Sequence, residues 1–92
     1  MTIMPSAAQP EPGPFARAIS AQFRSSLARQ RISGVKLGAM VGKSQSYISK
    51  RLRDEAAFTC NDVEDICAAL GEDLFEVLRA AVIASRRARL DP

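Results

Sequence analysis

The spacing of four residues, Ser33, Gly38, Gly42 and Ser44, constrains the fold of this chain more than any other feature. Ser33 and Ser44 are of the type that caps a helix N-terminus, and Gly42 is of the type that ends a helix. Their spacing predicts a short helix over 34–41, a tight turn at Gly42 and another helix that begins after Ser44. Two helices joined this closely at a steep angle need a very small residue where they approach, and Gly38 occupies that position. The sequence therefore predicts a bihelical unit at the centre of the fold.

Apolar residues recur with helical spacing on both sides of this unit and predict three more helices. The first begins near Phe15 and ends near Gln30 or Arg31, and the second helix of the bihelical unit ends near Arg53. Capping signals then open a fourth helix, which ends at Gly71, and a fifth, which runs into the Arg-rich end. These signals are Thr59 with Asp62 and Asp73 with Glu76. In the first four helices the inward positions are Phe15, Ile19, Phe23, Leu27, Leu37, Gly38, Val41, Ile48, Leu52, Val63, Ile66, Cys67 and Leu70.

The composition fits this reading, since aromatic residues make up 5% of the chain and Trp is absent, so the core is aliphatic and suits packed helices. We predict an all-α domain of five helices over 15–85. Residues 1–14 hold four of the five prolines and are expected to form a disordered arm, and 86–92 a basic tail. A core of this size is near the lower limit for independent stability, which favours dimerisation.

Charge is segregated along the chain. Residues 15–53 contain nine bases and no acid, whereas 54–76 contain eight acids and no base. The block pattern predicts a basic face for a polyanion, nucleic acid being the natural partner. The alternative is that helices from the two halves simply pair their opposite charges.

Several classes of site lack their usual residues. The chain has no His, which removes the commonest general base and a principal zinc ligand, so we expect no enzyme activity and no cofactor. Cys60 and Cys67 are seven residues apart, about 10.5 Å along a helix, too far for a disulfide. The acids near 62–65 and 72–76 fall in first turns of helices, where the helix dipole favours them, so we expect no metal site. No export or membrane segment is apparent, and a cytoplasmic location is expected.

The bihelical segment carries a family resemblance. The run 32–50, ISGVKLGAMVGKSQSYISK, places Leu37, Gly38, Gly42, Ser44, Ile48 and Ser49 at the spacing of a helix-turn-helix. Over about 19–80 the chain resembles the Cro and repressor type of helix-turn-helix proteins, the XRE family. The run 44–55, SQSYISKRLRDE, is similar to small regulators of actinobacteria and their temperate phages. The resemblance implies a five-helix lambda-repressor-like DNA-binding domain whose third helix enters the major groove.

The sequence departs from the family pattern at three places. Gly34 stands where such proteins often carry a Gln that contacts phosphate, and Lys43 replaces a small apolar residue after the turn glycine. Asp54 and Glu55 follow the third helix where the family tends to place Gly, Asn or a base. Either this loop turns away from DNA or it contributes a repulsive specificity term.

The resemblance also implies two sets of DNA contacts. The predicted base contacts are Gln45, Ser46, Ser49, Lys50 and Arg53. The predicted phosphate contacts are Ser33, Lys36, Lys43, Ser44, Tyr47 and Arg51. Structural alternatives exist for three of them: Ser44 as a helix cap, Tyr47 packed on the second helix, and Arg51 bridging to an acid of the fourth.

Together, these expectations predict a sequence-specific regulator that binds double-stranded DNA, most simply a repressor of the phage immunity or Cro sort. The fifth helix has more apolar residues than one small core requires, which predicts a homodimer and a near-palindromic operator. The predicted interface residues are Leu74, Phe75, Leu78 and Val82. The competing function is a protein-interaction module such as an antitoxin or anti-repressor. No small-molecule ligand and no membrane partner are expected.

Overall fold

A computed structural model describes residues 10–90, and this part of the chain forms five α-helices and no strand. They are α1 (Pro14–Gln30), α2 (Gly34–Val41), α3 (Gln45–Leu52), α4 (Cys60–Leu70) and α5 (Leu74–Leu90). The predicted all-α, five-helix fold with a helix-turn-helix at α2 and α3 is confirmed. Residues 1–9 of the predicted arm and residues 91–92 lie outside the described part. Helix α1 begins at Pro14, within the segment assigned to the arm, and α5 continues through 86–90 of the predicted basic tail.

The helix ends have the capping chemistry that the sequence predicts. The Ser33 and Ser44 hydroxyls accept backbone N–H bonds at the starts of α2 and α3. Thr59 and Asp62 form a reciprocal capping box at α4, and the Asp73 carboxylate accepts the Glu76 N–H at 3.0 Å. The residues that end α2 and α4 adopt left-handed backbone conformations, with φ 72° at Gly42 and 68° at Gly71.

The core lies where α1, α4 and α5 enclose the inner faces of α2 and α3. Helices α1 and α5 pack along each other, and α2 packs against both α3 and α4. Phe23, Leu37, Ile48 and Ile66 are fully buried at the centre. Phe23 also meets the ring of Phe58 edge to face, with centroids 5.6 Å apart. The predicted inward position of Phe15 is wrong: its side chain is 40% exposed because α1 begins there at the edge of the bundle.

Gly38 is the point of closest approach between α2 and the turn that follows it. A Cβ atom on Gly38 would lie 2.6 Å from the Lys43 carbonyl oxygen, a backbone atom that cannot move aside cheaply. The same stretch is closed by a 2.9 Å hydrogen bond from the Lys43 N–H to the Gly38 carbonyl. At Gly34 a Cβ would meet nothing closer than 3.9 Å. The close packing predicted for this region therefore requires glycine at position 38 but not at 34.

This difference gives a paired test of the bihelical unit. Gly38→Ala should lower the free energy of unfolding by about 1–3 kcal/mol, because the new methyl group forces the turn away from α2. Gly34→Ala, the matched control, should be neutral or stabilising by up to about 1 kcal/mol, since alanine favours the helix. Urea unfolding followed by circular dichroism measures both. Equal stability of the two variants would contradict the assigned packing.

Candidate nucleic-acid interface

The predicted base-contact residues lie together on the side of α3 that faces away from the core. Gln45, Ser46, Lys50 and Arg53 are exposed and Ser49 is half-buried. At about 100° per residue these five positions span roughly 140° of the helix circumference. Ile48 anchors the other side in the core. We call this set of five, four of them exposed, the outer flank of α3.

Two members of the outer flank are joined to each other and to an acid. The Arg53 guanidinium donates hydrogen bonds to the Ser49 hydroxyl and to Glu55 Oε2, the latter at 2.6 Å. The hydrogen bond from Arg53 lowers the pKa of Glu55. Both side chains are more than half exposed, so this ion pair competes with water and with any external anion. Glu55 thus lies at the end of the outer flank and is paired with Arg53, one of the predicted base contacts.

Asp54 takes a different direction from Glu55. Its backbone adopts a left-handed conformation, φ 62°, and its side chain contacts α1. The carboxylate accepts a 2.5 Å hydrogen bond from Ser20 and forms a 3.4 Å ion pair with Arg24, which also donates to the Leu52 carbonyl at 2.7 Å. The Asp54 side chain is therefore bound to α1, whereas the Glu55 side chain stays beside the outer flank.

The predicted phosphate-contact residues fall into two groups. Ser33, Lys36, Lys43 and Ser44 are exposed around the N-terminal ends of α2 and α3. Both serine hydroxyls act as helix caps, as the structural alternative for Ser44 anticipated. Because each hydroxyl accepts the backbone bond, its own proton stays available for donation.

Tyr47 and Arg51 form the second group, with Lys43 beside them. The Arg51 guanidinium carbon is 3.5 Å and the Lys43 ammonium 4.9 Å from the centroid of the Tyr47 ring. Arg51 also donates to the Tyr47 carbonyl at 3.2 Å. The alternative in which Arg51 bridges to an acid of α4 is wrong, because its charge lies over the ring instead.

The Tyr47 hydroxyl is held by α4, and its side chain packs partly against the core. It donates a 2.6 Å hydrogen bond to Asp62 Oδ2, and the same oxygen accepts the Thr59 N–H at 3.0 Å. Asp62 is 4% exposed. Burial by itself would raise the pKa of Asp62, but the bonds from Tyr47 and Thr59 outweigh it and hold that pKa below its usual value. Burial and the bond to Asp62 raise the pKa of Tyr47.

Sequence reasoning predicted the capping role of Asp62 and missed its contact with Tyr47. The two residues are 15 positions apart, on helices whose relative placement depends on the whole core. No local spacing signals such a pair.

Ion pairs between the two halves account for part of the charge segregation. On α1, Arg24 pairs with Asp54 and Arg29 with Glu72, the latter at 2.9 Å, so opposite charges do join the two halves. The four bases Lys36, Lys43, Lys50 and Arg51, in contrast, form no ion pair with any acid among residues 10–90. Four of the ten bases that form no ion pair within residues 10–90 therefore lie on α2, the turn and α3, a segment that contains no acid.

A separate apolar groove runs between α1, α4 and α5. Its lining includes Phe15, Phe58 and Val63 together with Leu74 and Leu78. Of the predicted interface residues, Leu74 and Leu78 pack partly against the core, Phe75 is 70% exposed, and Val82 is also exposed. Ile83, which the sequence reading did not single out, is exposed as well.

The described residues bring together no group of three or more side chains suited to a metal ion. Cys60 is exposed and Cys67 is buried, and both are free thiols. None of the five helices is long and apolar enough to cross a membrane.

Comparison with solved structures places this fold beside a known gene regulator. Two crystal structures of the clp gene regulator ClgR from Corynebacterium glutamicum are similar to the chain, each at 25% sequence identity. One aligns with a TM-score of 0.74 over 87% of this chain and 84% of ClgR, the other with 0.68 over 74% and 88%. No family model matches the chain, and no curated protein matches it.

The environment of Asp62 predicts a particular pH dependence of stability. Asp62→Asn should lower the free energy of unfolding near neutral pH by about 1–3 kcal/mol, since a buried charged acceptor is lost. Because the folded-state pKa lies below the unfolded value of about 4, the carboxylate stabilises the fold above that value, and this contribution disappears as pH falls through the folded pKa.

Urea unfolding of the native protein and of Asp62→Asn at a series of pH values measures this effect. The gap between the two unfolding free energies should be constant above about pH 5 and narrow below about pH 4. A gap that stays the same through the acid range would show that the charge of Asp62 contributes nothing to the fold.

Proposed function

We propose that this protein is a transcription regulator that binds double-stranded DNA in a sequence-specific manner through α2 and α3. The observation that carries the proposal is the outer flank of α3, which is polar and largely exposed and contains Lys50. Three further bases, Lys36, Lys43 and Arg51, lie on the same two helices and their turn, and none of the four pairs with a described acid. The likeness to the gene regulator ClgR supports the same class of function.

In the proposed complex, α3 lies in the major groove with its first turn on base edges. The Gln45 amide suits adenine, Lys50 suits guanine O6 and N7, and the Ser46 and Ser49 hydroxyls suit several bases. Arg53 contacts a base or the DNA backbone once its ion pair with Glu55 is broken. Glu55 thus adds a repulsive term against duplexes that offer Arg53 no acceptor.

Phosphate contacts orient the domain and carry no sequence information. Lys36 and Lys43 lie near the N-terminal ends of α2 and α3, where exposed backbone amides also favour an anion. Ser33 and Ser44 can donate their hydroxyl protons, and Arg51 contributes its charge from above the Tyr47 ring. We assign these residues to the DNA backbone.

We further propose that the protein acts as a repressor of the Cro or immunity-repressor sort in the bacterial cytoplasm. Occupying promoter DNA blocks polymerase and needs neither catalysis nor a cofactor. The resemblance of 44–55 to small regulators of actinobacteria and their phages supports this placement.

A homodimer through α5 would present two α3 helices to successive major grooves and select a near-palindromic operator. Phe75 and Val82 supply exposed apolar area beside the groove that Leu74 and Leu78 line. The same apolar surface is what favours the competing function, a module of the antitoxin or anti-repressor kind that binds another protein.

Salt dependence separates DNA binding from the competing function. If a dimer neutralises about six phosphates, the logarithm of the association constant for DNA should fall with the logarithm of salt concentration with a slope of roughly −5 or steeper. Fluorescence anisotropy with a labelled duplex selected from random sequences measures this slope. If the protein binds no duplex at low salt, the proposal is rejected.

Alanine variants test the two kinds of contact. Gln45→Ala and Lys50→Ala should each cost about 1–3 kcal/mol on the selected duplex and relax base preference, because they remove base-edge contacts. Lys43→Ala should weaken selected and random duplexes alike. Arg79→Ala removes the same charge from the exposed surface of α5 and should leave binding unchanged. Equal losses on both duplexes for Gln45→Ala would refute its readout role.

Phe75→Glu tests the dimer without disturbing the core, because the Phe75 side chain is mostly exposed. A charge buried across the twofold interface is costly, so the variant should sediment as a monomer. Met40→Glu places the same charge at an exposed apolar position on α2 and should remain a dimer. An unchanged mass for Phe75→Glu would exclude this face of α5 as the interface.

A further inference from the structure

The contact between Tyr47 and Asp62 joins the helix that carries the outer flank to the helix behind it. Tyr47 lies on α3 and Asp62 in the first turn of α4, and their 2.6 Å bond connects a half-buried ring to a buried carboxylate. Asp62 is itself fixed, since it accepts the Thr59 N–H and its own N–H donates to the Thr59 hydroxyl. The hydroxyl of Tyr47 is therefore tied to a rigid part of the fold.

The aromatic ring of Tyr47 lies against two positively charged side chains. The ring lies beneath Arg51 and near Lys43, two bases that have no acid partner among residues 10–90. A hydrogen bond to a carboxylate polarises the phenol and makes the ring face a better site for cations. One side chain thus connects the α4 capping box to two bases that border the outer flank.

We propose that Asp62 is a positioning residue for DNA recognition, which acts through Tyr47 to fix the angle of α3 and the places of Lys43 and Arg51. The inference rests on the proposed function. It changes the role of Tyr47 from a direct phosphate ligand to a support for the groups that meet DNA. Its hydroxyl is already used toward the protein interior, which leaves the ring and its two cations for the outer surface.

The geometry gives a physical reason why this bond affects recognition. Helix α3 has only eight residues, and its apolar anchors are Ile48 in the core and Leu52 packed partly against it. Both anchors lie on one face of the helix, and even a small rotation of α3 about its own axis would move the outer flank relative to base edges. The bond from Tyr47 to Asp62 restrains that rotation, and bidentate base contacts tolerate little error in position.

The test uses Tyr47→Phe, Asp62→Asn and the double variant in the full chain, with a duplex selected by the native protein and a random duplex. Each single variant should bind the selected duplex about fivefold to tenfold more weakly and the random duplex almost normally, because orientation is lost while every base is kept. The double variant should be no weaker than either single one, since both remove the same bond. Additive losses, equal losses on the two duplexes, or no loss would overturn the proposal.

Thr59→Ala is the matched control for damage to α4. It removes the side-chain half of the capping box and leaves the bond from Tyr47 to Asp62 in place, so α4 loses stability without losing the positioning contact. Its affinity for the selected duplex should stay near that of the native protein at a temperature where both are folded. A loss as large as that of Asp62→Asn would mean that helix stability alone is responsible.

A second measurement does not depend on DNA. Tyr47 is the single tyrosine and the chain has no Trp, so tyrosinate absorbance reports this residue alone. In the native protein the titration midpoint should lie above that of free tyrosine, and Asp62→Asn should bring it down toward that value. An unmoved midpoint would overturn the positioning role even if the protein binds DNA. A shifted midpoint with no DNA binding would instead locate the failure in the proposed function.

Discussion

The structure depends on the close approach of Gly38 to the Lys43 carbonyl. No side chain fits into the 2.6 Å that a Cβ at position 38 would leave, so the backbone after α2 packs directly against that helix. The turn at Gly42 then has room to reverse the chain, and Ser44 starts α3 at once. With the two helices fixed in this way, Leu37 and Ile48 reach the common core, and the polar side of α3 is left facing solvent. The exposed position of the outer flank therefore follows from the close backbone packing at Gly38.

The charges of the chain reinforce this arrangement. Asp54, Asp62 and Glu72 are used toward the protein, where they meet hydroxyl and guanidinium donors from α1 and α3. A buried or half-buried carboxylate needs such donors to offset its loss of hydration. Because the donors lie on other helices, each bond also stabilises the packing of those helices. No ion-pair partner exists in residues 10–90 for Lys36, Lys43, Lys50 or Arg51, and the three lysines are exposed. One set of charges therefore holds the scaffold together, and the other is available to a polyanion.

Much of the fold could be predicted from the sequence because its signals are local. Capping serines, the Thr59 and Asp62 pair and the terminating glycines each act within four residues, and all of them end or begin helices as expected. Three features that the sequence did not predict depend on tertiary packing. They are the bond from Tyr47 to Asp62, the bond from Ser20 to Asp54 and the exposed position of Phe15. These follow from how the helices pack, which local patterns do not encode. The roles of the outer flank residues stay predictions, because exposure places a side chain without stating what it binds.

Amide chemical shifts recorded during titration with a selected duplex test the central claim most directly. If the duplex lies on α2 and α3, the largest changes should occur over residues 43–53 and near Ser33 and Lys36, with smaller changes along the exposed side of α5. Such a pattern would place the duplex on the surface formed by α2 and α3. Changes confined to the apolar groove between α1, α4 and α5, or none at low salt, would contradict the account, because the outer flank would then have no part in binding.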